Sequence, residues 1–202
     1  VAVGPFDKSK RALERKGYRI ISLEENAQLR MQQGKSHNVS RNGNWVREGV
    51  LYVPQGKPKL VRNSPILLSA EEATQAHRSG REFYPTREQT ESSLVDSIDF
   101  PGKTVEIPTN RFDSEALTVY AFGGEQEARA YGDFLREAGI NSMPVYAVDK
   151  SYVDSQTQPF ARQLWFRSLD GRSELDGYSS LDGDNRLRGV LKSGEASALK
   201  NG

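Results

Sequence analysis

Apolar positions fall along the chain in two rhythms. Leu23, Ala27 and Met31 recur at helical spacing and form one stripe. Ser22 with Glu25 makes a capping box ahead of that stripe, and Gly34 stops it, so the pattern predicts a helix between them. From Trp45 the rhythm changes to alternation. Trp45, Arg47, Leu51 and Val53 share one face, and Val46, Glu48, Val50 and Tyr52 share the other. This predicts a strand over 45–54, paired as a hairpin with a second strand over 58–68.

Around these two segments the same grammar continues. Residues 7–17 predict a short helix, capped by Asp7 and ended by Gly17, before a strand at 18–22. Residues 35–44 are polar and read as a loop. Ser69 with Glu72 reads as a second capping box, opening a helix through His77. Thr86 with Gln89 opens another that carries Leu94, Val95 and Ile98. The stretch between them, 77–89, packs Arg, Phe and Tyr around Gly80 and Pro85. It reads as an aromatic corner between helices, with a binding loop as the second reading.

Pro and Gly cluster at 99–110, the candidate boundary. Beyond it, 116–124 reads as a strand. Residues 125–139 read as a helix with Ala128, Tyr131, Phe134, Leu135 and Ala138 on its apolar face, and 143–148 as a strand. Together they make a β-α-β unit. Gly123 and Gly124 then form its first turn; no phosphate-loop motif surrounds them, and Glu125 and Glu127 already face the helix dipole. A strand at 160–169 follows.

Leu-Asp-Gly then occurs three times, at 169–171, 175–177 and 181–183. The six-residue period matches neither a calcium β-roll nor an EF-hand loop. Asp170–Gly171 suits a two-residue hairpin turn. That turn sets a register: Leu169 opposite Arg172, Arg167 opposite Glu174, and Phe166 opposite Leu175. Asp170, Glu174, Asp176, Asp182 and Asp184 leave an acidic edge, a lesser candidate for a divalent cation.

The elements predict a mixed α/β protein. Its two halves, 1–98 and 99–191, would each hold a small sheet with flanking helices and pack as one compact body, followed by a flexible tail at 192–202. Charge sharpens the division. Residues 1–90 carry 16 basic against 9 acidic side chains, and residues 91–202 carry 12 against 18, so a net charge of +1 conceals +7 and −6. Either the halves attract each other, or the basic half meets a polyanion.

The chain has no cysteine, which excludes disulfides, a Cys-ligated metal and a Cys nucleophile, and fits a reducing compartment. No apolar run approaches the ~18–20 residues that cross a bilayer. No signal-peptide pattern opens the chain, so it is expected to be cytoplasmic, without a membrane partner. The two histidines, His37 and His77, stand alone, and neither a metal nor a cofactor is predicted.

The leading functional expectation is a nucleic-acid-associated module without assigned catalysis. Lys35, Arg41, Arg47, Lys57, Lys59 and Arg62 would neutralise phosphates while Trp45 stacks on a base. A second basic cluster, Lys8, Lys10, Arg11, Arg15, Lys16 and Arg19, reads as a solvated helix face. One alternative is a metal-dependent hydrolase or nuclease built from scattered carboxylates, with Glu106, Asp113 and Glu115 as its loosest candidates. The other is a protein-interaction or assembly domain.

Overall fold

The computed structural model describes residues 1–170 and 172–191. The expected tail at 192–202 lies outside the described residues.

The chain opens with β1 (Ala2–Gly4), α1 (Phe6–Glu14), β2 (Tyr18–Ile20), α2 (Leu23–Gln33) and α3 (Asn38–Arg41). The long β3 (Asn44–Tyr52), β4 (Lys59–Val61), α4 (Ala70–Arg78), α5 (Arg87–Leu94) and β5 (Ser97–Asp99) follow. Then come β6 (Val105–Pro108), α6 (Ala116–Phe122), α7 (Glu125–Glu137), β7 (Ser142–Tyr146), α8 (Lys150–Ser155) and β8 (Phe160–Phe166). Three short strands end the described chain: β9 (Leu175–Asp176), β10 (Asn185–Leu187) and β11 (Gly189–Leu191).

One nine-stranded sheet organises these elements, rather than two small ones. Its path runs β1-β10-β3-β8-β9-β7-β6, with β4 and β5 branching from β3. The central pair joins β3 from the first half to β8 from the second, antiparallel. The divided architecture is thereby corrected: the strongest pairing in the molecule crosses the expected boundary. A separate ribbon pairs β2 with β11.

Both faces of the central pair are buried, as the alternation in β3 requires. Val46, Val50 and Tyr52 join α2, α6 and α7 in one core; Trp45 and Leu51 join Phe6, Leu13 and Ala73 from α1 and α4 in the other. A bulge interrupts the pairing. Trp45 lies opposite Trp165, but Gly49 lies opposite Gln163, so β3 spends two extra residues. Two extra residues preserve the alternation, so each side chain keeps its face. The Gln163 amide donates to the freed carbonyls of Val46 and Glu48.

The capping boxes at Ser22 and Thr86 form with both reciprocal bonds. Ser69 makes no such bond; its hydroxyl accepts from the Gln89 side chain instead. Asp7 lies inside the first turn of α1 and pairs with Arg11 at 2.7 Å, while Pro5 takes the cap position. Of the expected strand 58–68 only Lys59–Val61 pairs, and Pro65–Leu67 turns as a 3-10 helix. Ile98 belongs to β5, not to a helix.

The largest correction falls at 116–124, which is the helix α6 and not a strand. Leu117, Thr118, Ala121 and Phe122 are its buried residues, a helical stripe, although Thr118, Val119 and Tyr120 in its middle are strand-favouring types. Packing against α2 and α7 decides the outcome over local propensity. Gly123–Gly124 therefore joins two helices. Gly123 ends α6 with a left-handed φ of 94°, and Gly124 caps α7.

Candidate functional site

The three Leu-Asp-Gly units act as three pegs. Leu175 and Leu181 are fully buried, in different cores, and Leu169 packs partly buried against the larger one. Backbone bonds tie two of them down: Leu169 N–H donates to Ser40 at 2.7 Å, and Leu181 C=O accepts from Phe6 at 2.9 Å. Between the pegs and just after the last the chain turns outward, leaving Asp170, Arg172, Tyr178, Ser180, Asp182 and Asp184 exposed.

The start of this segment holds the register that its charges predict. Phe166 lies opposite Leu175 and Trp165 opposite Asp176. Arg167 N–H donates to Glu174 C=O at 3.0 Å, and its guanidinium meets the Glu174 carboxylate at 2.7 Å. The turn expected at Asp170–Gly171 lies partly outside the described residues.

Arg30 fastens the segment from beneath. Its guanidinium is fully buried and lies 3.8 Å from the centre of the Phe166 ring. It donates to the Arg167 carbonyl at 2.8 Å and to the Tyr131 hydroxyl at 3.2 Å; that hydroxyl lies 3.4 Å from Ser173. One buried cation thus reaches both stems of the hairpin. Sequence reasoning missed this role, although Arg30 sits seven residues after Leu23, on the buried stripe.

Beside the hairpin lies an open cleft of about 550 Å³, lined by Gly43, Trp165, Arg167, Ser168, Asp176, Tyr178, Ser179, Ser180 and Asn185. Its aromatic wall depends on Gly43. A side chain there would lie 2.7 Å from the Trp165 indole, so only glycine lets that ring lie against the backbone. Trp45 supports the same ring edge-on, with centroids 5.5 Å apart. Across the cleft, Tyr178 is 48% exposed and stands edge-on to Tyr146.

The Asp176 carboxylate accepts the Tyr178 N–H at 2.8 Å. Burial, and then the neighbouring Glu174 charge, hold its carboxyl above the usual range against the pull of that N–H. Ser179 donates to the Gln163 carbonyl at 2.8 Å, tying the segment to the residue that closes the β3 bulge. Gly177 fits where a side chain would strike the Tyr52 hydroxyl at 2.8 Å. The result is a rigid floor under a rim of short polar side chains and tyrosine. It can stack on a flat group and exchange hydrogen bonds around it.

The expected nucleic-acid residues are placed differently. Trp45 is fully buried between Phe6 and Trp165, so it packs a core and offers no face to a base. Lys57 and Lys59 come together on one carboxylate, Asp99, at 2.8 and 2.5 Å. Arg62 lies 4.1 Å over the Tyr120 ring and 3.7 Å from Asp96. Arg47 is half-buried, and its backbone bonds Ile21. Lys35 and Arg41 are exposed around α3, where Arg41 lines a small cleft with Asp170. In the first helix region, Lys10, Arg11 and Arg19 each hold an acidic partner.

The scattered carboxylates are engaged as well. Asp113 pairs with Arg129, Glu115 with Arg111, and Glu106 accepts from Ser142. Glu174, within the acidic edge, is held by Arg167 and Arg172. Among the described residues, no three His, Cys, Asp or Glu side chains gather as metal ligands. No described helix is long and apolar enough to cross a membrane.

No family model and no curated protein matches the chain. A solved structure described as "Accommodation of massive sequence variation in Nanoarchaeota by the C-type lectin fold" is similar to it, with a TM-score of 0.71 at 16% identity. The likeness covers 93% of this chain and 94% of that one. The architecture of β3, β8 and their flanking helices is therefore a C-type lectin fold.

Proposed function

We propose that the protein is a recognition module that binds a partner through segment 168–186 and the cleft beside it. The carrying observation is the division of labour within that segment. Its leucines are sunk in two cores, while Arg172, Tyr178, Ser180 and Asp182 face solvent. Tyrosine with short polar neighbours is the composition of binding surfaces: the ring supplies contact area at low entropic cost, and Ser, Asp and Asn adapt their hydrogen bonds. The solved structure of the same fold is described as accommodating massive sequence variation, which suits a scaffold whose outward positions are free of structural duty. This reading favours the interaction-domain alternative over the nucleic-acid one, since burial of Trp45 removes the aromatic contact the latter relied on.

The test is to screen the chain against protein and glycan arrays alongside a variant carrying Arg172→Ala and Tyr178→Ala. A partner whose binding disappears in the variant, while the fold is kept, supports the reading. If every partner found binds both proteins equally, the segment is not the recognition face.

A further inference from the structure

A second cleft, of about 520 Å³, opens on another part of the surface. It is lined by α4 (Glu72, Gln75, Ala76), the segment Gly80–Tyr84 and Tyr152 of α8. The cleft draws on the 77–89 stretch, whose Phe83 packs into a core as the aromatic-corner reading expects. Phe83 is buried, and its carbonyl accepts from Ala161 N–H at 3.0 Å, bridging to β8. That bridge sends Glu82 and Tyr84, its sequence neighbours, in the opposite direction to Phe83.

Glu82 is the unusual residue. Its side chain is only 2% exposed. Oε1 accepts from Arg162 at 2.5 Å and from the Tyr152 hydroxyl at 2.8 Å, but Oε2 has no partner among the described residues. A buried carboxylate oxygen left unbonded is costly, so a donor at this position would gain more than an ordinary hydrogen bond. The walls favour the same kind of group. Tyr152 gives its proton to Glu82, and Tyr84 gives its proton to Gln156 at 2.8 Å. Both phenols can therefore only accept from a ligand, and their ring faces attract cations. Glu72 adds a second carboxylate at the rim. Arg81, exposed, is the one cation among the lining residues; Arg162 lies behind Glu82 and is matched by it.

We propose that this cleft binds a primary ammonium group, with the buried Glu82 carboxylate at its base as counter-charge and Tyr84 and Tyr152 as its aromatic walls. An ammonium has three donors and no acceptor, the complement of what the cleft presents. The volume lies within the range of small-molecule sites. This site is independent of segment 168–186, so each can fail without the other.

The test is calorimetric titration of the full chain with 2-phenylethylammonium, its neutral counterpart 2-phenylethanol, and the anion 3-phenylpropionate. The ammonium should bind, with the alcohol about tenfold weaker or worse and the anion not at all. An arm with Nα-acetyl-lysine methylamide distinguishes a free amine from a lysine side chain, according to which binds more tightly. Glu82→Gln should abolish the preference for the cation. Because that variant strips Arg162 of its partner and can unfold locally, Glu72→Gln and Tyr84→Ala on the rim are measured too; each should weaken the ammonium several-fold. Equal affinity for ammonium and alcohol, no ammonium binding at millimolar concentration, or binding unmoved by all three substitutions would overturn the assignment.

Discussion

Two titratable side chains are held far from their ordinary behaviour, in opposite senses. The alternation of β3 turns Glu48 inward with Val46 and Val50, where Oε2 accepts the Leu23 N–H at the start of α2 at 3.0 Å and Oε1 has no partner among the described residues. Burial pushes its carboxyl up to about 7. His77 is pushed down to about 4, first by burial and then by Arg162. For Glu48 the folded state binds a proton that the unfolded chain has lost. Its stabilisation is full below the ordinary carboxylate value and disappears as pH rises to about 7. For His77 the unfolded chain takes the proton first, so stability is full above about 6.5 and is lost as pH falls toward 4. Between these limits the two slopes oppose each other, and urea unfolding should show a shallow dependence on pH. Glu48→Gln should unmask the histidine slope and stabilise the protein at pH 8 by on the order of 1–3 kcal/mol. A variant no more stable than wild type at pH 8 would show that Glu48 is ionised in the fold without penalty.

Two helix starts were legible from a purely local signal. The boxes at Ser22 and Thr86 need only four consecutive residues, and both form. The register of Phe166 against Leu175 is the one that the charge match of Arg167 with Glu174 calls for. α6 was illegible because Thr118, Val119 and Tyr120 favour strands locally, and only contact with α2 and α7 overrules them. Two of the glycines that end helices offer a controlled comparison. Gly123 and Gly139 both have positive φ, but a side chain at 123 would strike Glu24, whereas at 139 nothing lies within 4 Å. Gly139→Ala should cost about 1–2 kcal/mol for the left-handed backbone alone. Gly123→Ala should cost more, and the excess measures what it takes to move the Glu24 side chain off the turn. A further test concerns the bulge. Gln163→Leu leaves the Val46 and Glu48 carbonyls without their donor and should destabilise by about 2 kcal/mol. Equal thermal stability of this variant and wild type would mean that other groups satisfy the bulge.

At the scale of the whole molecule, the chain order hides what the sheet reveals. β3 and β8 lie more than a hundred residues apart, and no local pattern says that they pair. Their union places the tip of β8 beside Gly43 and builds the cleft from residues with no common motif. The repeat in 168–186 was visible, but its meaning was not, because burial of Leu175 and Leu181 in separate cores depends on the completed sheet. That arrangement makes a sharp demand on stability. Leu175→Ala and Leu181→Ala each empty a packed site and should cost about 2–4 kcal/mol. Substituting the exposed Tyr178, Ser180 or Asp182 should cost almost nothing, within about 0.5 kcal/mol apiece, whereas Arg172 also pairs with the buried Glu174. A library randomised at Tyr178, Ser180 and Asp182, sorted for protease resistance, should therefore keep most of its members folded, while one randomised at the leucines should collapse to large apolar residues. If the exposed positions proved as restricted as the pegs, their side chains would be holding the fold, and the segment would have no freedom left for recognition.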